Sequence, residues 1–113
     1  MHELSVALGI VKIAEQELRK ANANKIELIE LEIGTLAGIE LDSLNFVWEV
    51  VVKDTVLENA QKEIIVILAE GQCVDCDSIY PLKNIYDSCP KCQSSFKIIL
   101  KGKELRVKSL IVE

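Results

Sequence analysis

Four cysteines and one histidine are the residues whose types and placement allow metal chemistry. Cys73-Val74-Asp75-Cys76 and Cys89-Pro90-Lys91-Cys92 form a CxxC-x12-CxxC pattern. Two-residue gaps let both sulfurs of a turn point at one centre, and four thiolates around a tetrahedral ion suit Zn²⁺. Such a site is closed to water, so its expected role is structural: metal binding supplies folding free energy. Iron in a Cys₄ site is the chemical alternative, because ligands alone do not fix the metal. Disulfides conflict with a cytoplasmic reading of the chain, and free thiols would leave the matched pairing unexplained. A redox-active CxxC is disfavoured because Cys73 and Cys76 do not open a helix in a thioredoxin-type setting.

The histidine is His2. At a chain end it reads first as a surface residue. With Met1 retained, however, the terminal amine, the His2 amide nitrogen and the imidazole can form fused chelate rings. Three nitrogens at the corners of a square suit Ni²⁺ or Cu²⁺ and fit Zn²⁺ poorly, and Glu3 can supply a further donor. Removal of methionine generally requires a small second residue, so bulky His2 favours an intact terminus. A catalytic site built on histidine would have to use this terminal residue, which is a poor place to hold a base rigidly.

The elements that must position these residues follow from the pattern of the whole 113-residue chain. Half the residues are hydrophobic but only 4% aromatic, so the core is built from Ile, Val, Leu and Ala, and disorder is excluded. The 18 acids and 13 bases give a net charge of −5, the opposite of a nucleic-acid binder's usual balance. No apolar run approaches the roughly 18 residues that span a bilayer, and the first residues lack a secretory pattern. A soluble, cytoplasmic protein is expected, with no membrane partner.

Leu4, Ala7, Leu8, Val11, Ala14 and Leu18 share one helical stripe, predicting an amphipathic helix over 4–21 that stops at Asn22-Ala23-Asn24. Residues 25–33 read as a strand, with Ile29, Leu31 and Ile33 buried and Glu30 and Glu32 on a solvated face. Gly34 and Gly38 bracket a turn. A second helix is predicted over about 41–54, capped by Asp42 or Ser43, and a central strand over 63–69. From Gly71 to about Ser95 aliphatic residues are few, so this segment is expected to bury no core of its own. Residues 96–100 and 104–112 read as two strands joined at Lys101-Gly102-Lys103, the last returning to the main sheet. The expected class is α+β: a small sheet with two helices, residues 1–70 and about 101–113, and a Cys₄ zinc-ribbon-like module, about 71–100, inserted before the last strands.

Met1-His2-Glu3-Leu4-Ser5 ahead of an amphipathic helix, the CxxC-x12-CPxC module, Ile33-Gly34-Thr35-Leu36 and the terminal Gly102-Lys103-Glu104-Leu105-Arg106-Val107-Lys108-Ser109-Leu110 together resemble the HypA/HybF family. These are nickel metallochaperones for maturation of [NiFe]-hydrogenases, and the resemblance covers essentially the whole chain. It implies a non-enzymatic carrier with His2 as the essential nickel ligand, assisted by the Met1 amine and with Glu3 as a further donor. Cys73, Cys76, Cys89 and Cys92 would hold structural zinc. The implied partners are a HypB-type GTPase and the hydrogenase large-subunit precursor. Some members serve urease maturation, so the client is open, as are a homodimer and domain swapping through the long return connection. One departure is Gln93-Ser94, where members often have Gly-Ser. Glycine there relieves crowding where the backbone turns its amides toward the sulfurs. The competing reading is a zinc-ribbon nucleic-acid or protein-interaction module. Lys83, Lys91 and Lys97, with Tyr80, Tyr86 and Phe96, are the residues it would use, but no dense basic cluster lies beside the ribbon.

Overall fold

A computed structural model describes residues 3–113. Helix α1 (Glu3–Lys20) buries Ala7, Ile10, Val11, Ala14 and Leu18, the stripe expected from the spacing. Acidic Glu3 at its start and Arg19 and Lys20 at its end match the helix dipole. The helix ends in a Schellman motif. Asn22 is left-handed (φ 52°), and the Ala23 and Asn22 amides donate to the Leu18 and Arg19 carbonyls at 3.2 and 3.1 Å.

Strand β1 (Ile26–Gly34) is followed by α2 (Leu41–Val51). The N-cap of α2 is Glu40, not Asp42 or Ser43: its carboxylate accepts from the Asp42 amide at 3.1 Å. The helix also stops earlier than its apolar spacing predicts. Val52 donates to the Trp48 carbonyl and Asp54 turns left-handed (φ 61°). The Thr55 hydroxyl then donates to the Val52 carbonyl at 2.6 Å and accepts from the Leu57 amide at 3.2 Å, fixing the turn.

Among the described residues, six strands make two three-stranded sheets. The first has the order β2 (Gln61–Ile67), β1, β6 (Leu105–Val112). The last strand therefore does return to β1, as expected. The second sheet is β4 (Ile79–Pro81), β3 (Glu70–Cys73), β5 (Lys97–Lys101), antiparallel throughout, with Gly71 facing Tyr80 on one side and Ile99 on the other. Strands β5 and β6 thus belong to different sheets and are not a hairpin. Among the described residues no helix is long and apolar enough to cross a membrane.

The chain divides into two compact units. One comprises residues 1–31, 39–64 and 107–113; the other comprises 32–38 and 65–106. In the first, Ile29, Leu31, Leu44 and Leu57 are fully buried. The second has a core of its own, contrary to expectation: Ala69, Cys73, Tyr80, Leu82 and Cys89, with Leu36, Cys76 and Ile99 against it. It is small because the cysteines are themselves core residues, a role free cysteine fills as a compact hydrophobe.

Residues 32–38 are built into this second unit. Gly34 donates to the Glu104 carbonyl and Leu36 to the Gly102 carbonyl, each at 2.7 Å, while the Thr35 hydroxyl accepts from the Ala69 amide at 3.1 Å. A Cβ on Gly34 would lie 2.0 Å from the Gly102 carbonyl oxygen, so only glycine permits this crossing. Glu32 is not solvated as its alternation suggested. It is 9% exposed and accepts from Arg106 Nε at 2.5 Å, which compensates the buried charge. In the first unit Glu30 accepts from the Ser109 hydroxyl at 2.5 Å.

Candidate metal centre

Each CxxC segment folds into the same knuckle. In the first, the Asp77 amide donates to the Cys73 carbonyl at 3.0 Å, and the Cys73 amide to the Ser78 carbonyl at 2.8 Å. In the second, Gln93 donates to Cys89 at 2.8 Å and Cys89 to Ser94 at 2.9 Å. The residue after the second cysteine is left-handed in both: Asp77 and Gln93 each have φ 62°. That conformation explains why glycine suits this position and why Gln93 is strained there, since a Cβ is disfavoured at positive φ.

The knuckles bring all four sulfurs within 4.8 Å of one another. Cys73 Sγ lies 3.5 Å from Cys92 Sγ, and Cys76 Sγ lies 3.6 Å from Cys89 Sγ. A tetrahedral ion with Zn–S bonds of about 2.3 Å places its sulfurs about 3.8 Å apart, so the cluster fits zinc in number, type and size. Cys73 and Cys89 are buried, Cys76 is half-buried and Cys92 is exposed.

The Ser78 hydroxyl and amide pull the Cys76 pKa down to about 6. At Cys92 the Ser94 amide also pulls down, but the sulfurs of Cys73, Cys76 and Cys89 outweigh it and push the thiol up to about 12. Adjacent thiolates repel one another, and a divalent cation reverses that penalty for all four.

The loop between the knuckles is held by side chains that spacing alone did not single out. Asp87 Oδ2 accepts from the Lys83 and Asn84 amides at 2.8 and 3.2 Å, and these bonds hold its carboxyl below the usual carboxylate range. Lys97 Nζ donates to the Ile85 and Ser95 carbonyls at 2.9 and 3.1 Å. Buried Tyr80 packs in the cysteine core, and burial and then the nearby Cys89 and Cys73 push its hydroxyl up.

The other predicted site falls at the chain's start. Met1 and His2 lie outside the described residues. Glu3 opens α1, and its Oε2 accepts from the Glu40 amide at 3.0 Å, joining the start of α1 to the cap of α2. Glu40 was not found from the sequence because glutamate is not a usual N-cap.

The fold and the cluster define a small α+β protein in which paired knuckles gather four cysteine sulfurs that can hold a metal ion. Residues 1–112 match the family described as hydrogenase/urease nickel incorporation, metallochaperone, hypA, and the chain belongs to that family. It is similar to the hydrogenase maturation factor HypA of Parabacteroides distasonis, at 43% identity over all of this chain and 98% of that one. It is also similar to that of Azotobacter vinelandii, at 38% over the full length of both. Among solved structures, it resembles the solution structure of the nickel metallochaperone HypA from Helicobacter pylori. The TM-score is 0.71, at 29% identity over 99% of this chain and 97% of that one.

Proposed function

We propose that this chain is a nickel carrier, not an enzyme. It takes up Ni²⁺ at its amino terminus through the His2 imidazole and amide, the Met1 amine and a donor from Glu3. It then passes the ion by ligand exchange into assembly of a [NiFe]-hydrogenase or urease centre. Zinc held by Cys73, Cys76, Cys89 and Cys92 keeps the module of about residues 71–100 folded, while residues 1–70 and about 101–113 serve the nickel end. A HypB-type GTPase and the hydrogenase large-subunit precursor are the partners, in the cytoplasm.

The observation that carries this reading is a whole-length match to a nickel-incorporation family in a chain whose only histidine is His2. The Glu3–Glu40 bond supports it, because it anchors the residue next to the chelate to a second helix. Nickel uptake there releases protons from the amine and amide, so binding weakens as pH falls. The test is a Ni²⁺ titration of zinc-loaded, tag-free protein beside His2→Ala. One strong equivalent in the parent, lost in the variant with zinc content unchanged, is expected. Residues added before Met1 should abolish it as well. Equal nickel binding by parent and His2→Ala would overturn the assignment.

A further inference from the structure

The two knuckles share a backbone but not a pattern of side-chain hydrogen bonds. In the first, the Ser78 hydroxyl lies 3.3 Å from Cys76 Sγ, where it can donate to a thiolate. In the second, the equivalent Ser94 hydroxyl turns away and donates to Asp75 Oδ2 at 2.5 Å, while accepting from the Phe96 amide at 3.2 Å. Cys92 thereby lacks the hydroxyl that Cys76 has. It is also the one exposed cysteine of the four.

We infer that Cys92 is the modification site of the zinc-loaded cluster for soft, thiol-directed electrophiles, and that Asp75 keeps it so by holding the Ser94 hydroxyl. The inference rests on the zinc reading above. Hydrogen bonds to a metal-bound thiolate withdraw charge from sulfur and lower its nucleophilicity, so the ligand with the fewest donors and the most exposure reacts first. Cys73 and Cys89 are shielded by burial, and Cys76 is shielded in part and carries the extra donor. With a maleimide, the Cys92 sulfur gives an electron pair to one alkene carbon and an S–C bond forms. The alkene π pair takes a proton from water, and the resulting hydroxide is taken up by buffer. The neutral thioether no longer holds the ion, so the Zn–S bond breaks and water enters the vacated position. The three remaining sulfurs then yield the ion to a chelator, so zinc release follows modification.

The experiment uses the zinc-loaded full chain, with zinc content measured first, and N-ethylmaleimide below one equivalent. Peptide mass spectrometry locates the adduct while a colorimetric chelator follows zinc. At early times the Cys92 adduct is expected to exceed that at Cys76 by about tenfold, the ratio for one hydrogen bond's worth of difference. Zinc should leave at the same rate. Asp75→Ala frees the Ser94 hydroxyl to turn onto Cys92 and should slow its labelling severalfold. Ser94→Ala, which removes a hydroxyl not engaged with sulfur, should leave the Cys92 rate unchanged. Even labelling of all four cysteines, or Cys76 reacting first, would overturn the site. Faster labelling in Ser94→Ala would overturn the role of Asp75. A chain that takes up no zinc would instead overturn the zinc reading itself, and this inference with it.

Discussion

The largest fully buried side chains divide cleanly between the two units. Ile29, Leu31, Leu44 and Leu57 lie in the unit that holds both helices, whereas Cys73 and Cys89 lie in the other. The first unit is stabilised as most small domains are, by apolar surface withdrawn from water at about 25 cal/mol per Å². The second has the same need to order its chain but fewer aliphatic side chains to meet it. Its two deepest residues, Cys73 and Cys89, belong to the four-cysteine cluster, so its packing and its candidate metal site are made of the same atoms. The expectation is that one unit is destabilised by degrees and the other through a single cluster.

The strongest way to break this comparison is to remove one cysteine of the cluster. Cys89→Ala should abolish tight zinc binding, which in structural Cys-rich sites contributes about 10–16 kcal/mol, and should leave residues 70–101 without ordered NMR signals. The helical circular-dichroism signal should persist. A variant that retains one zinc and dispersed signals would show that this unit's packing suffices without the metal.

Leu44→Ala probes the other side. Deleting a fully buried aliphatic side chain should cost about 2–5 kcal/mol in chemical denaturation, with zinc content unchanged. A cost below about 1 kcal/mol would mean that the helical unit collapses around the cavity more readily than a packed core does.

Asp87 sharpens the comparison through pH. Its folded carboxyl titrates below its ordinary value because two backbone amides donate to it. Its stabilising contribution is therefore complete above the unfolded value of about 3.9 and is lost as pH falls through the lower folded value. Asp87→Asn should be less stable than the parent at neutral pH, with the two curves converging in acid. Parallel curves across that range would show that the carboxylate is not what holds the loop.

The smallest effect is expected at Gln93. Replacing this left-handed residue with glycine removes Cβ strain and should stabilise the zinc-loaded unit by about 1 kcal/mol, slowing zinc release to a chelator. A destabilised variant would show that the Gln93 Nε2 bond to the Pro90 carbonyl outweighs the strain.

What was legible in the sequence follows the same divide. The helix α1, the strand β1 and the return of β6 were readable because long elements with one buried face leave a clear period. The Schellman stop at Asn22 was readable from its residue type. Strands β3 and β4 were not, since four and three residues are too few to show alternation. The Cys₄ spacing announced a metal site, yet nothing in it showed that Cys73 and Cys89 would form a core with Tyr80 and Leu82. Asp75, Ser78 and Ser94 were equally hidden, because two similar hydroxyls take different partners only once the knuckles face each other. The Glu32–Arg106 pair escaped because it joins residues 74 positions apart.

The placement of the aromatic residues has an optical consequence. Trp48 is the single tryptophan, 5% exposed in the helical unit with Lys62 Nζ 5.3 Å from its ring centroid, while both tyrosines, Tyr80 and Tyr86, belong to the cysteine unit. Excitation at the red edge of the indole band reports on one unit alone, and the tyrosine ultraviolet difference spectrum reports on the other. Melting of the helices and loss of zinc can thus be followed in the same cuvette, without a label, as two separate colours of one unfolding experiment.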